Sequence, residues 1–144
     1  FSLDDAATDA LFAHFLTLYE QHWNAFPDAA PALTRALEAG LQVGILTNGA
    51  TELQQRKLKR TGLDISGVQL LTSTGLGAAK PNPECYERAL AVIGTTAHET
   101  FMVGDSLAND VEGARAVGMT AFHLVRDHSS DDLYSLPSLD LLPF

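Results

Sequence analysis

The stretch FMVGDSLANDVEGARAVGM, residues 101–119, decides the fold. It opens with a short apolar run that ends at Asp105, and a helical pattern follows over residues 109–118. A buried strand that leads into an amphipathic helix is typical of a parallel sheet, because consecutive parallel strands need a crossover connection. The stretch therefore predicts an α/β protein.

The same alternation of short apolar runs and helical patterns extends outward from this stretch. Strands are predicted at 41–47, 68–73, 101–105 and 119–125, and helices at 51–62, 83–94 and 109–118. Such connections between parallel strands are right-handed crossovers, which place helices on both faces of one sheet. The expected fold class is therefore α/β, with a doubly wound, Rossmann-like parallel sheet.

The two ends of the chain differ from this alternating pattern. Residues 3–23 show helical spacing, and a second helix is predicted within residues 26–40. The first helix carries an aromatic stripe that is expected to pack into a core: Phe12, Phe15, Tyr19 and Trp23. Residues 127–144 are rich in Ser, Asp and Pro, and we expect an irregular surface segment there.

Composition excludes several classes of function. The 144-residue chain has a net charge of −9, which disfavours a nucleic-acid partner because phosphate backbones attract clustered Lys and Arg. No apolar run approaches the roughly 20 residues that span a bilayer, so no membrane partner is expected. Cys85 is the single cysteine and no secretory pattern opens the chain, so the cytoplasm is the expected compartment.

Polar side chains follow the predicted strands, at the edge where open parallel sheets bind ligands. Thr47, Asn48 and Gly49 can offer a hydroxyl, an amide and backbone N–H groups to an anion. Lys80 precedes Pro81, which holds it extended at the sheet edge, where it can neutralise a phosphate. The alternatives are an ordinary Asn-Gly turn and a solvated loop lysine.

Asp105 and Asp110 are candidate metal ligands. Asp105 ends a buried strand and Asp110 lies in the first turn of the next helix, so the two carboxylates repel each other unless a cation lies between them. Hard oxygen ligands with water completing an octahedron suit Mg²⁺. The alternative is that Asp110 only caps the helix and Asp105 accepts hydrogen bonds from loop amides.

Three motifs together resemble those of the haloacid dehalogenase superfamily of hydrolases. ILTNG at 45–49 is similar to the second family motif, AAKPNPECYERAL at 78–90 to the third, and VGDSLANDVEGARAVGM at 103–119 to the fourth. They occur in the family's order, and the resemblance covers roughly residues 15–126.

The resemblance implies a Mg²⁺-dependent phosphatase that acts on a small phosphorylated metabolite through an aspartyl-phosphate. Thr47 would hydrogen-bond the transferring phosphoryl group with Asn48 nearby, and Lys80 would stabilise the charge of nucleophile and phosphate. Asp105 would ligate Mg²⁺, and Asp110 would support its water shell. Haloacid-degrading members need no metal and have a Ser-Ser-Asn type of fourth motif, so phosphoryl transfer is favoured over dehalogenation.

The family's first motif, Asp-x-Asp-x-Thr after an apolar strand, carries the nucleophile and the general acid. Laid on FSLDDAA at residues 1–7, it places Ser2, Asp4 and Ala6 at its three defining positions, of which Asp4 alone matches. The helical pattern also runs back to Leu3. Asp4 and Asp5 are therefore better interpreted as first-turn acids of a helix.

These points predict two parts of the chain. Residues 1–25 are expected to be the C-terminal part of a helical cap domain, and residues 26–144 the α/β core without its first strand. The nucleophile is then expected upstream of Phe1, the chain alone is expected to be inactive, and an oligomer or strand exchange would be one way to supply the missing strand. The alternatives are an inactive module that binds phosphate and Mg²⁺, and a metal-independent haloacid dehalogenase.

Overall fold

The computed structural model describes residues 4–126 and 133–144, in which helices alternate with strands. The helices are α1 (Asp5–Gln21), α2 (Ala29–Glu38), α3 (Thr51–Thr61), α4 (Ser73–Leu76), α5 (Pro83–Ile93) and α6 (Gly113–Ala116). The strands are β1 (Val43–Thr47), β2 (Val68–Thr72), β3 (Phe101–Gly104), β4 (Thr120–Leu124) and β5 (Ser135–Leu136). A π-helical segment spans Leu107–Glu112, and 3₁₀ turns span Ala97–Glu99 and Leu139–Leu141.

All described strand pairs are parallel, which confirms the predicted α/β class. β1 pairs with β2 so that Thr47 and Thr72 end side by side, and β3 pairs with β4 so that Gly104 lies beside His123. The described strands form two sheets, ordered β1-β2 and β3-β4-β5, where the sequence predicted one continuous sheet.

A gap between the two sheets explains this difference. Among the described strands, β1 pairs with β2 alone and β3 with β4 alone, so one edge of each lacks a strand partner. Every residue of β1 and β3 lines a cavity of about 740 Å³, together with apolar side chains of α2 and α5. Unpaired backbone groups along a strand edge are a template for a further strand. The gap is therefore bounded by two strands that each lack a strand partner on one side among the described residues.

The main apolar core lies between α5, the segment that follows β3, and β4. Its buried members are Tyr86, Leu90, Val111, Ala114, Met119 and Ala121. α5 begins at Pro83 after Asn82, whose side chain accepts a hydrogen bond from Glu84 N at 3.0 Å, and it ends before Gly94 at a φ of 81°. These are the start and stop signals that predicted the helix. In the part that the structure describes, no helix is both long and apolar enough to cross a membrane.

The N-terminal helix is confirmed, although its expected start at Leu3 lies outside the described residues. The Asp4 carboxylate is its N-cap and accepts a hydrogen bond from Ala7 N at 2.7 Å, while Asp5 is its first residue. An N-cap carboxylate stabilises a helix through an otherwise unpaired N–H and the helix dipole. Asp4 therefore has a structural role.

The expected packing of the aromatic stripe is wrong for three of its four members. Phe12, Phe15 and Tyr19 are 60 %, 56 % and 46 % exposed, and Trp23 alone of the stripe is buried. The reason is that no described element covers this side of α1. Arg56 of α3 ties the end of the helix to the rest of the chain through an ion pair with Glu20, at 2.9 Å.

Two other segments also differ from their expectations. The helix expected at 109–118 begins at Leu107, and its first six residues are π-helical. Ser106 starts it early, because its hydroxyl accepts a hydrogen bond from Asn109 N at 3.3 Å. Part of the expected irregular tail is the strand β5, which pairs with β4, while residues 127–132 lie outside the described residues.

Candidate active site

Lys80 is held by a buried pair of contacts beside the end of β1. Its Nζ lies 2.5 Å from Asp110 Oδ1 and donates a second hydrogen bond to the Leu46 carbonyl oxygen at 2.8 Å. The side chains of Lys80 and Asp110 are 9 % and 8 % exposed, so solvent screens their attraction weakly. An ammonium group has three N–H donors, and these contacts use two. The alternative of a solvated loop lysine is wrong.

Both carboxylate oxygens of Asp110 accept hydrogen bonds. Oδ1 accepts from Lys80, and Oδ2 accepts from the Ser106 backbone N–H at 3.0 Å. Gly104 permits this arrangement, because a Cβ atom at that position would collide with the Asp110 carboxylate. Among the described residues the cation beside Asp110 is the Lys80 ammonium, while the expected Mg²⁺ between Asp105 and Asp110 stays a prediction.

Asp105 directly follows β3 and is exposed, in contrast to Asp110. Among the described residues its side chain has no hydrogen-bond or ion-pair partner, so the loop-amide alternative is wrong. Its backbone carbonyl oxygen accepts a hydrogen bond from His123 Nε2 at 3.1 Å, which ties the ends of β3 and β4 together. The Asp105 carboxylate is thus available to a ligand.

Thr47 and Gly49 differ in what they can offer to an anion. Thr47 is half-buried, and its hydroxyl makes one long contact, 3.4 Å to the Asn48 carbonyl oxygen, which leaves it able to donate to a ligand. The Gly49 N–H already donates to Ser73 Oγ at 2.8 Å, and the Gly49 carbonyl accepts from the Thr74 hydroxyl at 2.9 Å. Gly49 therefore joins the ends of β1 and β2, and its N–H is not free for an anion.

The Asn48 side chain pairs with the backbone of Lys80. Its Nδ2 donates to the Lys80 carbonyl oxygen and its Oδ1 accepts from the Lys80 N–H, each at 2.9 Å. The next peptide bond, Lys80–Pro81, is cis. The side chain predicted to lie near the phosphoryl group thus contacts the lysine loop.

Comparison with known proteins supplies the family. Residues 1–118 match the haloacid dehalogenase-like hydrolases. The chain belongs to this family. The resemblance seen in the three sequence motifs is therefore confirmed, and the parallel α/β fold agrees with it.

Proteins similar to this chain include phosphatases and dehalogenases. It is 36% identical over 114 residues to a phosphoserine phosphatase from Thermus thermophilus, a match that covers 79% of this chain and 46% of the relative. A haloacid dehalogenase (HAD) phosphatase from Thermococcus onnurineus superposes with a TM-score of 0.72 at 36% identity, over 81% of this chain and 55% of that one. A dehalogenase superposes with a TM-score of 0.74 at 29% identity, over 81% and 54%. The chain spans about half the length of these proteins.

The donor set of the described residues fits in part the Mg²⁺ that the family resemblance implies. Mg²⁺ is bound by one or two carboxylates, while waters and substrate phosphate complete the octahedron. Asp105 offers an exposed carboxylate, whereas both oxygens of Asp110 are bonded. Within residues 4–126 and 133–144, no group of three or more His, Cys, Asp or Glu side chains could hold a metal by itself. The Asp105 carboxylate is therefore available as one ligand, and a Mg²⁺ site here would need further donors.

Tyr86 stabilises the segment that carries Asp110, a role that the sequence analysis missed. Its side chain is fully buried, and its hydroxyl donates a hydrogen bond to the Asn109 carbonyl oxygen in the π-helical segment that carries Asp110. Burial raises the pKa of Tyr86 to about 12, so the hydroxyl stays a donor at neutral pH. A Cβ atom at Gly113 would collide with this hydroxyl. That glycine inside a helical pattern was the available signal, because it marks a close approach.

Cys85, beside Tyr86, is not a nucleophile of this site. The residue is fully buried, and burial raises the pKa of its thiol. A thiolate is the reactive form of cysteine, so the raised pKa disfavours a nucleophilic role for Cys85.

A second buried ion pair joins the start of α2 to the C-terminal segment. The Asp28 carboxylate accepts hydrogen bonds from both terminal nitrogens of Arg126, at 2.8 and 3.0 Å. It also accepts hydrogen bonds from the Ser138 hydroxyl and the Leu139 N–H, each at 2.9 Å. The Arg126 hydrogen bonds hold the pKa of Asp28 well below its ordinary range. Although Asp28 directly precedes α2, its side chain makes no cap hydrogen bond to that helix.

Proposed function

We propose that the full-length protein is a Mg²⁺-dependent phosphatase that hydrolyses a small phosphorylated metabolite. The observation that carries the proposal is the buried Lys80–Asp110 pair, whose ammonium keeps one N–H donor beyond its two protein contacts. The pair lies beside the end of β1, where Thr47 carries its hydroxyl. Parallel α/β proteins bind ligands at this edge of the sheet. Phosphatase relatives support the reaction class.

The residues of this chain have separate roles in the proposal. The Thr47 hydroxyl donates a hydrogen bond to a phosphoryl oxygen. The Lys80 ammonium stabilises negative charge on the phosphoryl group and on the attacking carboxylate. Asp105 holds the metal, which when bound neutralises charge on the phosphate. Asp110 fixes the ammonium and needs no direct contact with the substrate. Catalysis of phosphoryl transfer consists mainly of such positioning and charge stabilisation.

The nucleophile is proposed to lie on an extended segment in the gap between β1 and β3. A carboxylate oxygen of that segment would bond to phosphorus while the P–O ester bond breaks, and the leaving alkoxide would take a proton from the general acid of the same first motif. Water then attacks the aspartyl-phosphate and releases inorganic phosphate. Two observations support this placement of the nucleophile. The described strands β1 and β3 each lack a strand partner on one side, and the cavity that they line is also lined by Lys80 and Asp105.

Residues 1–25 are proposed to be the end of a cap domain that covers the site, and residues 26–144 the α/β core. The exposed aromatic side of α1 supports this division, since an apolar surface of this kind is expected to pack against further protein. The remainder of such a cap would determine the substrate.

The test is hydrolysis of a chromogenic phosphate ester by the full-length protein, with and without Mg²⁺. We expect Mg²⁺-dependent release of phosphate, and a loss of about 10²-fold or more in kcat for Asp105→Asn. His98→Ala is a suitable control, because His98 lies in the 3₁₀ turn before β3. Absence of hydrolysis together with tight binding of inorganic phosphate would favour the inactive module. Release of halide from a 2-haloacid without Mg²⁺ would favour the dehalogenase.

A further inference from the structure

Asn48 makes a reciprocal pair of hydrogen bonds with a single residue. Its carboxamide donates to the carbonyl oxygen and accepts from the N–H of Lys80, each at 2.9 Å. Both polar atoms of the side chain are engaged, and both partners belong to the backbone of the lysine loop. A carboxamide that forms such a ring with one residue fixes the position and the orientation of that residue.

Residues at the end of β1 therefore hold both the backbone and the ammonium group of Lys80. Asn48 holds the backbone, while the Leu46 carbonyl oxygen accepts from the ammonium at 2.8 Å and Asp110 pairs with it at 2.5 Å. A free lysine side chain loses rotamer entropy when it is fixed. Fixing both ends before the substrate arrives removes that cost from the reaction, which is how preorganised donors act.

We infer that Asn48 is a positioning residue, which acts on the reaction through Lys80 and makes no required contact with the phosphoryl group. The inference rests on the proposed phosphatase function. It revises the assignment of Asn48 as a phosphate ligand, which followed from its place after β1. The two roles differ in measurable ways, because a ligand contributes to binding independently of Lys80 and a positioning residue does not.

The first experiment is a double-mutant cycle in the full-length protein on a chromogenic phosphate ester. We expect Asn48→Ala to lower kcat by about tenfold with KM changed by less than about twofold, and to have no further effect in a Lys80→Met background. Gln54→Ala is the matched control, since Gln54 bonds the Asn48 carbonyl oxygen at 3.3 Å without contacting Lys80. Equal effects in both backgrounds, or a rise confined to KM, would overturn the inference.

The second experiment does not depend on activity, so it separates this inference from the proposed function. Acetylation of lysine amines in the full-length protein is followed by mass spectrometry, with the exposed Lys59 as the internal reference. The Lys80 side chain is 9 % exposed, so it should react slowly. We expect its relative rate to rise about fivefold or more in Asn48→Ala and to stay unchanged in Gln54→Ala. An unchanged rate in Asn48→Ala would contradict the positioning role even if the wild-type protein proved to be no phosphatase.

Discussion

Within residues 4–126 and 133–144, two buried carboxylates each pair with a cation, and the two pairs differ in how completely they are bonded. In the pair of Asp28 and Arg126, the guanidinium binds both carboxylate oxygens, and a hydroxyl and a backbone N–H add two more bonds. In the pair of Lys80 and Asp110, a single short contact joins the charges, and the ammonium retains a third donor. We call the Asp28–Arg126 pair the closed pair, because its carboxylate is fully bonded. We call the Lys80–Asp110 pair the open pair, because its ammonium keeps an unused donor.

The difference teaches which pair can take part in a reaction. A bidentate arginine with a fully bonded carboxylate has little left to offer a ligand, so its effect is to hold segments together. A buried lysine with an unused donor can stabilise a charge that develops during a reaction. Burial and opposite charge alone would not have distinguished the two pairs.

The substitution Gly104→Ala should disrupt the contact between Lys80 and Asp110. The added Cβ collides with the Asp110 carboxylate, so Asp110 must move away from Lys80. We expect kcat of the full-length protein to fall by about 10²–10³-fold in a phosphate-release assay. Gly94→Ala is the control, since its positive φ of 81° makes it costly for stability while no side chain lies near. Full kcat in Gly104→Ala would show that the Lys80–Asp110 contact is dispensable.

The closed pair should be broken by Arg126→Ala, with an effect on stability. Asp28 would stay buried while retaining its bonds to Ser138 and Leu139, and we expect a loss of about 2–3 kcal/mol in the free energy of unfolding. The matched control is Arg35→Ala, whose exposed ion pair with Asp140, at 3.4 Å, should contribute less than about 1 kcal/mol. Urea denaturation measures both. Equal losses in the two variants would remove the distinction between buried and exposed pairs.

The closed pair should also give the protein a specific sensitivity to acid. Since the folded-state pKa of Asp28 lies below its unfolded value, the pair contributes its full stability above about pH 4 and loses it as the pH falls further. Asp28→Asn should be less stable than wild type at pH 7, and the difference should shrink between pH 5 and pH 3. Urea midpoints at three pH values test this. A constant difference would contradict the lowered pKa.

The smallest effect is expected for Tyr86→Phe. The change keeps the packed ring and leaves the buried Asn109 carbonyl oxygen without its hydroxyl donor, so the free energy of unfolding should fall by about 1–2 kcal/mol. The closed pair lies elsewhere, so the acid sensitivity that depends on Asp28 should not change. Denaturation at neutral and acid pH checks both points, and a stability equal to wild type would exclude a supporting role for this hydroxyl.

Local pattern was enough to predict the fold class, most helices and the residues of the open pair. Pro83 and Gly94 mark the ends of α5, and Asp105 and Asp110 follow an apolar strand, all within short stretches of sequence. Contacts between distant residues could not be predicted in this way. Asp28 and Arg126 are 98 residues apart and form no motif.

The remaining errors have physical reasons of the same kind. The split sheet follows from the absence of a described strand between β1 and β3, which no property of either strand reveals. Asn48 follows β1 as a phosphate ligand would, but the direction of its carboxamide depends on a loop that starts 32 residues later. Position at a strand end indicates that a residue belongs to a site, while its role depends on its tertiary partners.

The most direct test compares kcat for Lys80→Met and Arg126→Met in the full-length protein, on the same phosphate ester and per folded molecule. We expect Lys80→Met to lose about 100-fold or more, because it removes the open donor. Arg126→Met should stay within about twofold of wild type, although it unfolds at lower urea concentration. Equal kcat values for the two variants would contradict the claim that the open pair acts in catalysis and the closed pair only holds the fold.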